Sequence, residues 1–121
     1  MAESCSCSAA PKLIFSCSGA ADVGEVADRA ARHLTRAGVG KMYCLAGLGG
    51  GIPSFIEQTG AASTILAIDG CPTACASVIL KQAGFEKFSR IQLADLGLNK
   101  GAAPASPENV ERVVTAACAV F

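Results

Sequence analysis

The sequence predicts a single-domain α/β fold. It is a three-layer, Rossmann- or flavodoxin-like arrangement in which a parallel sheet of about four strands is flanked by helices. Three observations lead there. The chain has 121 residues, enough for one domain and one core. Apolar residues make up 51% and charged residues 17% of it, with a mean hydropathy of +0.43. That composition excludes intrinsic disorder. Short apolar runs suited to buried strands alternate with stretches of helical periodicity in the order βαβαβαβα.

Residues 1–11 read as a polar, flexible leader containing Cys5-Ser-Cys7, ahead of a domain at 12–121. Lys12-Leu-Ile-Phe-Ser16 is the first strand. Asp22 is expected to N-cap the first helix, with Glu25 three residues on completing an approximate capping box. Val23, Val26, Ala27, Ala30, Leu34 and Ala37 then recur at helical spacing, and Gly38 stands where a C′ glycine belongs. Lys41-Met-Tyr-Cys44 is the second strand, Gly47-Leu-Gly-Gly-Gly51 a flexible loop, and Pro53 to about Thr59 a short helix with proline in its first turn. Thr64-Ile-Leu-Ala-Ile-Asp69 is apolar almost throughout, as parallel strands covered on both faces are. Pro72 to Ala83 is the next helix, stopped by Gly84. Phe88-Ser-Arg-Ile-Gln-Leu93 alternates apolar and polar residues, which suits an edge strand. Gly101–Ala105 is a linker. Ser106 then caps a last helix with Pro107 at N1 and a buried stripe of Val110, Val113, Val114, Ala117 and Cys118.

Several function classes fall away. Ten basic residues balance ten acidic ones, and no basic stripe of the kind that binds nucleic acid is present. Lys12, Asp22, Lys41, Glu57 and Asp69 interrupt the apolar runs well short of the ~20 residues that span a membrane. The first residues lack the basic and apolar regions of a signal peptide, so the expected location is cytoplasmic. The high apolar fraction points to a homodimer.

Seven cysteines in such a chain are many, and cytosolic thiols are kept reduced. An odd number of them suggests metal binding or redox chemistry before a disulfide scaffold. Cys17 follows the first predicted strand, Cys44 ends the second, and Cys71 lies two residues past Asp69, the end of the third; the intervals are 27 residues each. Cys75 lies one turn further, in the helix. The carboxyl ends of a parallel sheet share one edge, where open α/β sheets build their ligand sites. Four thiols therefore converge on one edge. Four thiolates form a common tetrahedral zinc site, and helix N-termini on that edge would favour the thiolate form. The same four thiols could hold an iron–sulfur cluster.

Other candidates are weaker. Gly49 and Gly50, in the glycine-rich run, are expected to pack closely around the site; the run matches neither a dinucleotide fingerprint nor a P-loop. Asp69 and Asp95 at strand ends are expected to support the cysteine ligands, cap helices or face water, with capping the commonest role. His33 lies about 16 residues from Cys17, or ~24 Å along a helix axis, and reads as a surface residue. Cys118 reads as a small core hydrophobe. Cys5 and Cys7 could pass metal to the site or add a ligand.

The segments Phe15-Ser-Cys-Ser-Gly-Ala-Ala-Asp-Val-Gly24, Cys44-Leu-Ala-Gly-Leu-Gly-Gly50 and Ile68-Asp-Gly-Cys-Pro-Thr-Ala-Cys75 resemble the DGC domain family, named for its Asp-Gly-Cys tripeptide, here Asp69-Gly70-Cys71. The resemblance covers nearly the whole chain. It implies a zinc-binding protein whose four chelating cysteines are Cys17, Cys44, Cys71 and Cys75. It implies a site and no particular activity.

Two further readings stay open beside a zinc-handling or zinc-sensing protein. One is a thiol-dependent redox enzyme, with Cys71 as nucleophile and Cys75 as resolving thiol. The spacing is Cys-x3-Cys and not the Cys-x-x-Cys of thioredoxin-like proteins. Val23, Gly50, Ser77 and Lys81 occupy the positions where a cysteine phosphatase would place its arginine. The other is an iron–sulfur protein.

Overall fold

The computed structural model describes residues 10–121. Its strands are β1 (Lys12–Ser16), β2 (Lys41–Met42), β3 (Thr64–Asp69) and β4 (Ser89–Gln92). Its helices are α1 (Asp22–Arg36), α2 (Leu45–Gly49), α3 (Pro53–Gly60), α4 (Cys75–Gln82) and α5 (Pro107–Val120), with a 3-10 turn at Leu93–Leu96. The strands form one all-parallel sheet in the order β2-β1-β3-β4, with β4 at an edge.

Alternation along the strands divides the apolar residues between two faces. Ile14, Leu66 and Ile68 meet Val26, Ala30 and Leu34 of α1 and Val113 and Ala117 of α5. On the opposite face, Leu13, Phe15, Ile65 and Ala67 meet Leu48 of α2 and Ala76 and Leu80 of α4. The result is the predicted three-layer α/β domain. β3 is central and covered on both sides, which is why its run carries no polar alternation. Phe15, Ile14 and Leu66 are fully enclosed, and each contributes about 1.5–3 kcal/mol of transfer free energy.

The chain departs from expectation in five places. The glycine-rich run is not a loop: Leu45–Gly49 is helical, N-capped by Cys44, whose sulfur accepts the Gly47 N–H at 3.3 Å. Each helical glycine costs about 1 kcal/mol. Burial of Leu48 and the Phe55 ring packed on Gly47 offset that cost; a Cβ at Gly47 would lie 2.8 Å from the ring. β2 consequently stops at Met42, because Cys44 already occupies a capping position, although the Tyr43 N–H still bonds Ile14 O at 2.9 Å.

The helix expected from Pro72 begins only at Cys75, after a turn in which Ala74 takes a left-handed conformation (φ 56°). Asp22 is the first helical residue of α1, not its cap. Ala21 holds the cap position, and the Asp22 carboxylate accepts from Gly101 N–H at 3.0 Å and Ala103 N–H at 3.0 Å, binding the linker before α5. Cys118 is exposed and not on the buried stripe: Val113, Val114 and Ala117 are the buried residues of α5, and Cys118 falls outside that face. Ser106 caps α5 as expected, accepting from Asn109 N–H at 3.2 Å.

Candidate thiol site at the carboxyl edge

Cys17, Cys44 and Cys71 stand just beyond the carboxyl ends of β1, β2 and β3, which are neighbours in the sheet. Cys75 is the first residue of α4 at the same edge. All four carry free thiols; Cys17 and Cys71 are half-buried, whereas Cys44 and Cys75 are exposed. Cys17 prolongs β1, its N–H bonding Ile68 O at 2.9 Å.

The sulfurs themselves do not converge. Cys17 and Cys71 pack against the core on the α1 side, while the Cys44 sulfur turns to the Gly47 N–H. Among the described residues, no group of three or more His, Cys, Asp or Glu side chains is set together so as to hold a metal ion. As donors the four thiols suit zinc, and their backbones share an edge. Ligation by all four would require the thiols to be drawn together.

The turn Asp69–Ala74 is built by contacts that no local sequence signal describes fully. Asp69 is fully buried and accepts four hydrogen bonds, from Ala76 N–H at 3.0 Å, Ser77 N–H at 3.3 Å, Ser77 Oγ at 2.5 Å and Arg90 Nε at 3.1 Å. Of the roles considered for it, this is the helix cap: it satisfies the first donors of α4 from seven and eight residues away. Gly70 must lack a side chain. A Cβ there would lie 2.9 Å from Val23 O, in the backbone of α1. Gly24 is held the same way, its Cβ position 2.6 Å from Gly19 O. Three stretches of backbone thus interlock beneath the thiols.

Cys71 is the chemically distinctive thiol. The Thr73 hydroxyl and then its N–H favour the thiolate and lower its pKa, with further help from the Lys100 charge and the Ala74 N–H against a smaller opposing effect of burial. Lys100 precedes the Gly101 N–H that Asp22 binds, so the carboxylate also anchors the segment that brings this charge near. Thr73, Ser77, Arg90, Gly24 and Gly70 escaped the sequence reading as site-building residues. Thr73, Gly70 and Gly24 stood inside the quoted motif segments, whereas Ser77 and Arg90 had no local signal.

The remaining candidates fall away from the edge or serve packing. Gly49 and Gly50 are exposed at the end of α2, and a Cβ at Gly49 would meet Ile79 at 3.4 Å. Asp95 is exposed in the 3-10 turn after β4, and His33 is exposed near the end of α1. Cys5 and Cys7 lie outside the described residues.

A parallel three-layer sheet with cysteines at three adjacent strand ends defines a small α/β domain with a thiol-bearing carboxyl edge. The chain belongs to the DGC domain family, whose model matches residues 13–117. It is similar to the anaerobic and virulence modulator AnvM of Pseudomonas aeruginosa, with 34% identity over 88 residues, covering 73% of this chain and 67% of that protein. No solved structure matches the chain. No helix among the described residues is long and apolar enough to cross a membrane.

Proposed function

We propose that this chain is a zinc-binding protein of the handling or sensing kind, with Cys17, Cys44, Cys71 and Cys75 as its ligands. One observation carries the reading: neighbouring strands β2, β1 and β3 each deliver a cysteine to the same edge, with a fourth at the start of α4. Zinc favours four thiolate ligands, and a bound ion would draw the thiols together. Because the thiols are not already set together, binding is coupled to rearrangement of the edge. That suits a responsive or transferable site better than a rigid structural one. The relative's name, a modulator, agrees with a regulatory use.

The test is elemental analysis of the full chain, purified anaerobically without chelator, with its visible spectrum. The expected result is about one zinc per chain, no visible absorption, and loss of that zinc in Cys71→Ala. Unchanged tight zinc binding in that variant overturns the assignment. Iron with sulfide would make the edge an iron–sulfur site.

A second reading rests on the turn around Cys71. Thr73 lowers the pKa of this thiol, which lies just ahead of α4, with Cys75 at the helix start. On this reading Cys71 is the nucleophile and Cys75 the resolving thiol. Metal-free protein that reduces a small disulfide, and loses turnover in Cys75→Ala, would favour it.

A further inference from the structure

Beside the thiol edge lies an open cleft of about 740 Å³. It exists because β2 is short. β1 runs on to Ser16, but β2 ends at Met42, opposite Ile14, so the last residues of β1 have no strand on that side. α1 lines the gap with Asp28, Arg32, Thr35 and Arg36, four residues of one helical face. Thr35 Oγ1 fastens the two walls, accepting the Met42 N–H at 2.8 Å while donating to Ala31 O at 2.8 Å.

The walls differ in character. Met42, Tyr43, Leu45 and Ile79 form an apolar side. On the polar side, Arg32 Nε bonds Asp28 Oδ2 at 2.7 Å, and Ser18 Oγ donates to Asp28 Oδ1 at 2.8 Å. Arg36 has no carboxylate partner among the described residues, so the cleft carries a net positive charge. Ser16, also lining it, is 2% exposed, and its Oγ is the buried side-chain polar atom without a hydrogen-bond partner among the described residues. A buried hydroxyl with nothing to bond is costly unless something else satisfies it.

We propose that this cleft binds a small organic acid anion. Its acid group pairs with Arg36 and the outer face of Arg32, its apolar body lies against Met42, Tyr43 and Ile79, and the Ser16 hydroxyl supplies a hydrogen bond from the floor. The volume lies within the range of small-molecule sites, and the mixture of apolar wall and few convergent polar groups is theirs. Cys44 borders the cleft as well, but the proposal holds with or without metal on the thiols.

The test is a fluorescence titration of the full, reduced chain with anilinonaphthalene sulfonate, an anionic probe with an apolar body, followed by displacement with octanoate. One saturable site per chain, emptied by octanoate, is expected. Loss of a charge-assisted hydrogen bond in Arg36→Gln should weaken the probe by roughly tenfold or more. Ser16→Ala should weaken it less, and Lys81→Gln, away from the cleft, not at all. Arg36 is exposed, so an unchanged melting temperature will confirm that its variant keeps the fold. Equal binding by Arg36→Gln and wild type, or non-saturating binding, overturns the proposal.

Discussion

Cys71 takes its chemistry from residues two and three positions ahead. The Thr73 hydroxyl and N–H stabilise its thiolate more than burial penalises it, so the pKa falls. A lowered thiol pKa means a larger thiolate fraction at neutral pH, and the thiolate is the species that alkylates and binds metal. In metal-free protein, Cys71 should therefore react with iodoacetamide at lower pH than an ordinary free cysteine does, as read by peptide mapping. Thr73→Val, which removes the hydroxyl but keeps the shape, should move the Cys71 profile to higher pH. An unmoved profile would show that the backbone donors and Lys100 suffice. Asp28 is held by a similar balance: burial pushes its carboxyl up, but hydrogen bonds from Arg32 and Ser18 outweigh this and hold it below the ordinary range.

At the scale of elements, the Asp-Gly-Cys turn is a piece of packing as much as of chemistry. Asp69 orients α4, Gly70 lets the turn rest on α1, and Cys71 is thereby presented at the edge. Gly70→Ala would drive a methyl into the backbone at Val23, which cannot move without shifting α1. Overpacking of this kind costs about 1–3 kcal/mol. Urea denaturation should show a loss of that size; a variant as stable as wild type would mean that α1 yields freely. The contrast with Gly47 is instructive, because there the obstacle is the Phe55 side chain.

Across the whole molecule, Asp22 links elements far apart in sequence, joining the start of α1 to the segment before α5. Hydrogen bonds from Gly101 and then Ala103 lower its pKa. A carboxylate with a depressed folded pKa stabilises the native state fully above its unfolded value, and that contribution disappears as pH falls through the folded one. The stability difference between wild type and Asp22→Asn should thus be constant near neutrality and shrink as pH drops below about 4. Thermal unfolding across that range measures it. A difference that does not change with pH would assign the effect to hydrogen bonding by either form of the side chain.

The order of strands and helices, the parallel sheet and the alignment of Cys17, Cys44, Cys71 and Cys75 on one edge were all legible in the sequence. They follow from hydrophobic periodicity and from the rule that parallel strands end on the same side, both local or topological facts. The direction of each sulfur, the helix formed by Leu45–Gly49, the exposure of Cys118 and the cleft beside β2 were decided by tertiary structure. Packing between elements enters through contacts such as Phe55 against Gly47, Arg90 on Asp69, Gly101 on Asp22 and Val23 against Gly70. Composition and spacing record which residues are present and how often they recur. Which donor reaches a given acceptor is settled only when separate elements pack.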